Sequence, residues 1–190
     1  MLKQNAKTKI LKGKIKMSDL KIKLKNVRLS FPSIFKRSEY NGQEGKFEAT
    51  FLLDKTVDAD QIKMIESKVD ALLAEKKAKV SPDKVCLKDG DFVDYDGYAG
   101  CMSIKGSTSR RPTVIDRDRS PLVEDDNKPY AGCYVNAILE LWFQDNSYGK
   151  RVNCNLLGIQ FVKDGEAFGA GATDVTDEFD AFDDDDDLDI

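Results

Sequence analysis

Two runs of alternating apolar and polar residues, CYVNAILELWFQ (133–144) and RVNCNLLGIQFVKD (151–164), are separated only by the six residues DNSYGK. Alternation with period two marks a strand with one face buried, and two such runs joined by a short polar, glycine-containing link make an antiparallel hairpin. In the first run Val135, Ala137, Leu139, Leu141 and Phe143 form a continuous inward face. In the second the alternation slips at Leu156 and Leu157, and Gly158 beside them marks a bulge. A hairpin this long has to be completed by further strands, because two strands alone bury too little.

Those strands are legible upstream. In DLKIKLKNVRLSF (19–31), Leu20, Ile22 and Leu24 alternate with lysines, a shift falls near Asn26, and the pattern resumes at Val27, Leu29 and Phe31. Its wet face carries Lys21, Lys23, Lys25 and Arg28. A loop, PSIFKRSEYNGQEG, leads to a second strand, KFEATFLLD. Asp58 followed by Gln61 resembles a capping box, and Ile62, Ile65, Val69, Leu72 and Leu73 share one face, which predicts a helix ending near Lys79, before Pro82. Strand-like segments follow in GYAGCMSIKGSTS and RPTVID, and then a charged loop to Gly132. Several strands, one helix and long loops predict a mainly β chain: a small closed or partly open barrel with one added helix and extended loops. The expected organisation is a basic arm over 1–17, a domain over 18–170 and an acidic tail over 171–190.

The net charge of −4 conceals an asymmetry. From Asp174 onward there are ten acidic residues and no basic one, which leaves 30 basic against 24 acidic before it, a net of +6. A segment such as FDAFDDDDDLDI cannot bury enough apolar surface to offset its ordering entropy, so the tail is expected to be disordered. Six lysines occupy the first 16 residues; Met17 is itself an alternative start, so the arm reads equally as a DNA-contacting element or an upstream extension. No apolar run approaches the roughly 18 residues a membrane-spanning helix needs. The lysine-rich start lacks the apolar core of a secretory signal, which gives a cytoplasmic expectation. Cys86, Cys101, Cys133 and Cys154 form no CxxC pair and read as reduced, mostly buried thiols.

Histidine is absent, which removes His-based triads and every His-ligated metal site. KDGDFVDYDGYAG crowds Asp91, Asp94 and Asp96 around Gly97, but a calcium loop would need an oxygen ligand at Phe92 and a glutamate at Ser103. No phosphate-cradling loop is present. No enzymatic activity, metal or cofactor is expected; a nuclease built from scattered carboxylates has no support in their spacing.

Cations interleaved with aromatics are present. Binding a single strand requires lysine and arginine to track phosphates and aromatic faces on which bases stack, each stacked base being worth roughly 1–3 kcal/mol. Phe35, Lys36 and Arg37 occur together in FPSIFKRSEY; Lys105, Arg110 and Arg111 in KGSTSRRP; Trp142, Tyr148, Lys150 and Arg151 in WFQDNSYGKR. Taken singly, Phe31, Phe35 and Trp142 fit a core better than a stacking platform. Tyr148, at a polar hairpin tip, has little core to enter, and Arg110 and Arg111 have no evident structural role beside Pro112. The tail can compete with nucleic acid for such a basic surface and, once displaced, offer a second protein Phe182, Asp183, Asp184, Asp185, Asp186, Asp187, Leu188, Asp189 and Ile190. The contrasting expectation is an acidic-tailed adaptor or DNA mimic in which the barrel is only a scaffold.

The phrases NVRLSFPSIF, KFEATFLLDK, LKDGD, GYAG, RRPTVIDRDRSPL, YAGCYVNAILELWFQDN and LLGIQFVKDGEAFG, in this order from about Asn26 to Gly169, together resemble a family of tailed-phage single-stranded DNA-binding proteins, formerly a domain of unknown function. The resemblance implies a five-stranded OB-fold barrel that coats single-stranded DNA in phage replication and recombination, without sequence readout or catalysis, in the host cytoplasm. It also implies a tail that recruits replication or recombination proteins, and it leaves homo-oligomerisation open. Related tails often end in phenylalanine, whereas this one ends in Ile190.

Overall fold

The computed structural model describes residues 16–169; the expectations for the basic arm up to residue 15 and for the acidic tail lie outside the described residues. Strand β1 (Lys21–Ser33) is followed by the short pair β2 (Glu39–Tyr40) and β3 (Gln43–Glu44), then β4 (Phe47–Asp54) and helix α1 (Ala59–Lys76). The rest comprises β5 (Leu87–Asp89), β6 (Cys101–Thr108), β7 (Thr113–Ile115), β8 (Tyr134–Asn146) and β9 (Gly149–Lys163). The alternating burial of β8 and β9 and the inward set Val135, Ala137, Leu139 and Leu141 match the period-two expectation, with Phe143 half-buried.

Five of these strands close on themselves. β4 and β8 flank β1, β6 pairs with β4, β9 pairs with β8, and a parallel contact between Ser107 of β6 and Asn155 of β9 completes the circle. This connectivity is that of an OB-fold barrel, with β1, β4, β6, β8 and β9 as its five staves. Closure needs β6 to pass very near β9: a Cβ on Gly106 would stand 3.1 Å from Leu139 Cδ2 and 3.3 Å from Leu156 Cβ, so only glycine fits without displacement. Beyond that single contact the two strands diverge. The gap is wedged by residues 85–89, where Val85 bridges Val152 and β5 lies along β6.

Both irregularities expected in the strands occur. Asn26 takes a positive φ of 52° at a register shift between Leu24 and Val27, which keeps Leu24, Val27 and Leu29 all pointing inward. Between β8 and β9 the register jumps from Ile138–Gly158 to Leu139–Leu156, so Leu157 is the extra residue and is left exposed on the outer face.

Three details differ from expectation. The capping box does not form: Asp58 accepts from the Asp54 amide and from the Gln61 side chain, while Gln61 brackets the backbone of Lys25, tying the helix start to β1. Helix α1 stops at Lys76, not near Lys79, because Lys77 turns left-handed and Ala78 donates back to the Leu73 carbonyl, a Schellman-type ending. The stretch assigned to a loop before β4 holds the β2–β3 ribbon, turned by Asn41 and Gly42, both at positive φ. The helix packs Ile62, Ile65, Val69 and Leu72 against β4 and β8, each such burial being worth about 1.5–3 kcal/mol.

Candidate nucleic-acid interface

Where β6 and β9 diverge, a groove of about 880 Å³ opens on the outside of the barrel. One wall is the outer face of the β8–β9 hairpin, with Trp142, Gln144, Arg151 and Asn153; the other is the segment 82–98; the floor includes Thr50, Met102, Ser103, Lys105 and Ser107. Oligonucleotide-binding barrels use this region, the face of the second and third barrel strands together with the loops joining strands one to two and four to five. Here those strands are β4 and β6, and the loops are residues 34–46 and the turn Ser147–Tyr148.

Strand alternation explains how Trp142 comes to face the groove. Leu141 and Phe143 point towards the core, so Trp142 is directed outward, and its indole remains 37% exposed. The hairpin carries it, since β8 and β9 stay paired to Asn146–Gly149. The turn is tighter than the six-residue link suggested, and Gly149 closes it at φ 97°. Tyr148 projects from the tip at 84% exposure, its amide held by Asn146 Oδ1 at 3.0 Å.

Five cations line the groove, Lys46, Lys84, Lys88, Lys105 and Arg151, against the carboxylates of Asp83 and Asp89. Lys105 contacts Glu48 at 2.9 Å; the other four make no ion pair among the described residues. Lys150, next to the turn, lies 3.7 Å from Asp145, with both side chains more than half exposed. Exposed pairs of this kind are worth about 0–1 kcal/mol, so Lys105 and Lys150 are easily recruited by a stronger anion.

The wall over 82–98 is fixed by a buttress. Lys55 Nζ reaches Asp89 at 2.6 Å and Asp91 at 2.5 Å, and the Asp91 carboxylate also accepts from the Gly100 amide. Lys55 holds both carboxyls below the usual range, with a further contribution from backbone amides, and its own ammonium is correspondingly raised. Of the aspartates that mimic a calcium loop in the sequence, Asp91 therefore serves, with Asp89, to pin this wall. Behind them Tyr95, 56% exposed, leans edge-to-face on Phe31 at 5.2 Å between ring centroids. Phe31 is itself exposed and sits at φ 45°, an unusual backbone for a bulky residue.

The other sequence candidates gather at the β1–β4 loop. Phe35 packs against the core, and the Arg111 guanidinium covers its ring at 5.6 Å. Arg37 lies over Phe47 at 5.5 Å, donates to the Ser109 carbonyl at 2.9 Å and contacts Glu44; Lys36 pairs with Glu124 at 2.7 Å. Arg110 makes no ion pair among the described residues.

The pattern of the Enterobacter phage Enc34 ssDNA-binding protein family matches residues 20–189. This chain belongs to that family. Protein p50 of Acyrthosiphon pisum secondary endosymbiont phage 1 is 42% identical to it over 85% of this chain and 93% of the relative. Among solved structures, the single-stranded DNA-binding protein from bacteriophage Enc34 is similar with a TM-score of 0.73 and 33% identity, covering 88% of this chain and 97% of the other. The same phage protein in complex with ssDNA gives a TM-score of 0.73 and 32% identity, covering 86% and 100%.

Sequence reasoning missed part of what this member of the Enc34 family presents in its groove: Lys46, Lys84, Lys88, Phe92 and Tyr95. Lys84 precedes the three-residue β5 and Lys88 is its middle residue, in a strand too short to show alternation. Phe92 and Tyr95 are embedded among aspartates, a setting that resembles a metal loop; three aromatics in seven residues of so polar a segment, FVDYDGY, were the available signal.

Proposed function

We propose that the chain coats single-stranded DNA through this groove, without sequence readout and without catalysis. The observation that carries the reading is a half-exposed tryptophan set over a concave surface on which cations outnumber carboxylates five to two. Aromatic faces that accept any base, with cations that follow the backbone, give affinity with little sequence preference. Lys84, Lys88, Lys105 and Arg151 contact phosphates, Trp142 stacks a base within the groove, and Tyr148 with Lys150 extends the track beyond the hairpin tip. Arg110 prolongs it past the end of β6. Phe35, Lys36, Arg37 and Arg111 hold the β1–β4 loop in place and contribute less to the strand itself.

The acidic segment after Asp174 supplies the regulation. Its aspartates compete with phosphates for the same cations, and DNA displaces them; the released segment then recruits proteins of phage replication or recombination. The test is fluorescence anisotropy of a labelled oligo-dT and of a duplex of equal length, titrated at low and moderate salt with the full chain and with a chain stopped at Thr173. Tight, salt-sensitive binding to the single strand, weak binding to the duplex and a gain on removing the tail are expected. No binding by either form would overturn the reading in favour of an acidic-tailed adaptor.

A further inference from the structure

A second groove, of about 370 Å³, lies elsewhere on the outside of the barrel, between β1, β8, β9 and β7, and none of its lining residues is shared with the first. Its apolar surface comes from Ile138 and Leu157, 42% and 37% exposed, beside the bare backbone of Gly158. Leu157 is there because of the bulge: as the extra residue of β9 it is turned outward where regular alternation would have put a polar side chain. The rim is Lys23 and Lys25 of β1, exposed and without an ion-pair partner among the described residues. Among the described residues, no acidic side chain lines the groove.

An apolar floor with a lysine rim selects a ligand that is both apolar and anionic. Two segments of this chain lie outside the described residues, and charge distinguishes them. The first 15 residues bring five lysines and no carboxylate, like-charged with the rim. The last 21 bring ten carboxylates, no cation, and the apolar residues Phe179, Phe182, Leu188 and Ile190.

Reach favours the same choice. The chain is last described at Gly169, whose amide donates to Asp96, and the preceding Phe168 ring is capped by the Arg28 guanidinium at 4.2 Å. Arg28 is on β1, three and five residues from Lys25 and Lys23, or roughly 10–17 Å along the strand. From Gly169 to Phe182 the chain can extend roughly 43–47 Å. Tethering at this range holds the segment at a high effective concentration over the groove.

We infer that the β1–β8–β9 outer groove is the docking site of the chain's own C-terminal segment, residues 179–190, with Phe182 on Ile138 and Leu157 and the aspartates that follow it against Lys23 and Lys25. Docking withdraws the tail from the DNA groove, so the two grooves compete for one segment. The docking stands apart from the DNA reading; only this last consequence rests on it.

The experiment uses the full chain with a photo-crosslinking p-benzoylphenylalanine in place of Phe182, without DNA, and maps the products by mass spectrometry. Crosslinks within one chain to residues 23–25, 136–138 or 157–160 are expected, falling about tenfold, equivalent to 1.4 kcal/mol, in Leu157→Asp and in the Lys23→Glu/Lys25→Glu double variant. Crosslinks only to the Trp142 groove, to the N-terminal segment or to a second chain, or yields at residues 23–25, 136–138 and 157–160 indifferent to both variants, would overturn the proposal. Oligo-dT binding then reads the consequence: Leu157→Asp weakens it in the full chain and leaves the chain stopped at Thr173 unchanged. Absence of oligo-dT binding by either wild-type form would strike the DNA reading alone.

Discussion

The hairpin groove and the β1–β4 loop are built from the same ingredients, aromatic rings and cations close in sequence, yet the fold uses them in opposite ways. Trp142 in the groove and Tyr148 at the hairpin tip beyond it stay exposed, and Lys84, Lys88 and Arg151 have no ion-pair partner among the described residues. At the loop the rings are already capped, Phe35 by Arg111 and Phe47 by Arg37, and the charges are engaged, Arg37 with Glu44 and Lys36 with Glu124. A cation and an aromatic that satisfy each other hold a loop. Left apart on a concave surface, they form a site for a ligand that carries both phosphate and base.

The contrast breaks most sharply at Trp142. Its replacement by alanine should cost about 1–3 kcal/mol of single-strand binding, several-fold to more than a hundredfold in Kd, while the unfolding midpoint moves little because the indole faces outward. Anisotropy and urea denaturation on the same sample separate the two effects. Arg111→Ala should do the reverse, losing about 0.5–1 kcal/mol of stability through the uncapped Phe35 ring and changing Kd by less than about threefold. A weakening of Kd at Arg111 as large as that at Trp142 would erase the distinction between the regions.

A pH series sharpens it further. Asp89 and Asp91 have carboxyls depressed by Lys55, so the buttress is fully present above the ordinary carboxylate range and is lost as pH falls through their lowered values. Acidification should lower the protection of the Gly100 amide, measured against its intrinsic exchange rate, before the barrel unfolds, and Lys55→Met should move that loss to higher pH. The smallest effect is expected for Lys36→Gln: its exposed pair with Glu124 is worth about 0–1 kcal/mol, and neither stability nor binding should change measurably.

The barrel was legible because its staves are long: 13 residues in β1 and β8 and 15 in β9 give period-two alternation room to show, and even the Asn26 and Leu157 irregularities appear as breaks in it. The wedge at residues 85–89 was not, since its three-residue strand carries no period and its partners in β6 and β9 are distant in sequence. The same holds for the parallel contact that closes the barrel, which only the absence of a side chain at Gly106 hints at. The candidate site was half legible. Tyr148, Lys150 and Arg151 are placed by the hairpin alone, whereas whether Phe35 or Trp142 is the exposed ring depends on which faces the barrel turns inward, and Lys84, Lys88 and Tyr95 enter the groove only through tertiary packing. The β2–β3 ribbon was read as loop although Asn41-Gly42 is a hairpin-turn pair, because its two-residue strands show no alternation.

The most direct test of the groove as a single-strand track is the salt dependence of oligo-dT binding by the chain stopped at Thr173, with and without Lys105→Gln and Arg151→Gln. On a single strand the slope of log K against log salt changes by about 0.7 for each phosphate that is no longer neutralised, so the double variant should be shallower by about 1.4 with the oligonucleotide still bound. An unchanged slope would contradict the account and place the phosphate backbone on another face of the barrel.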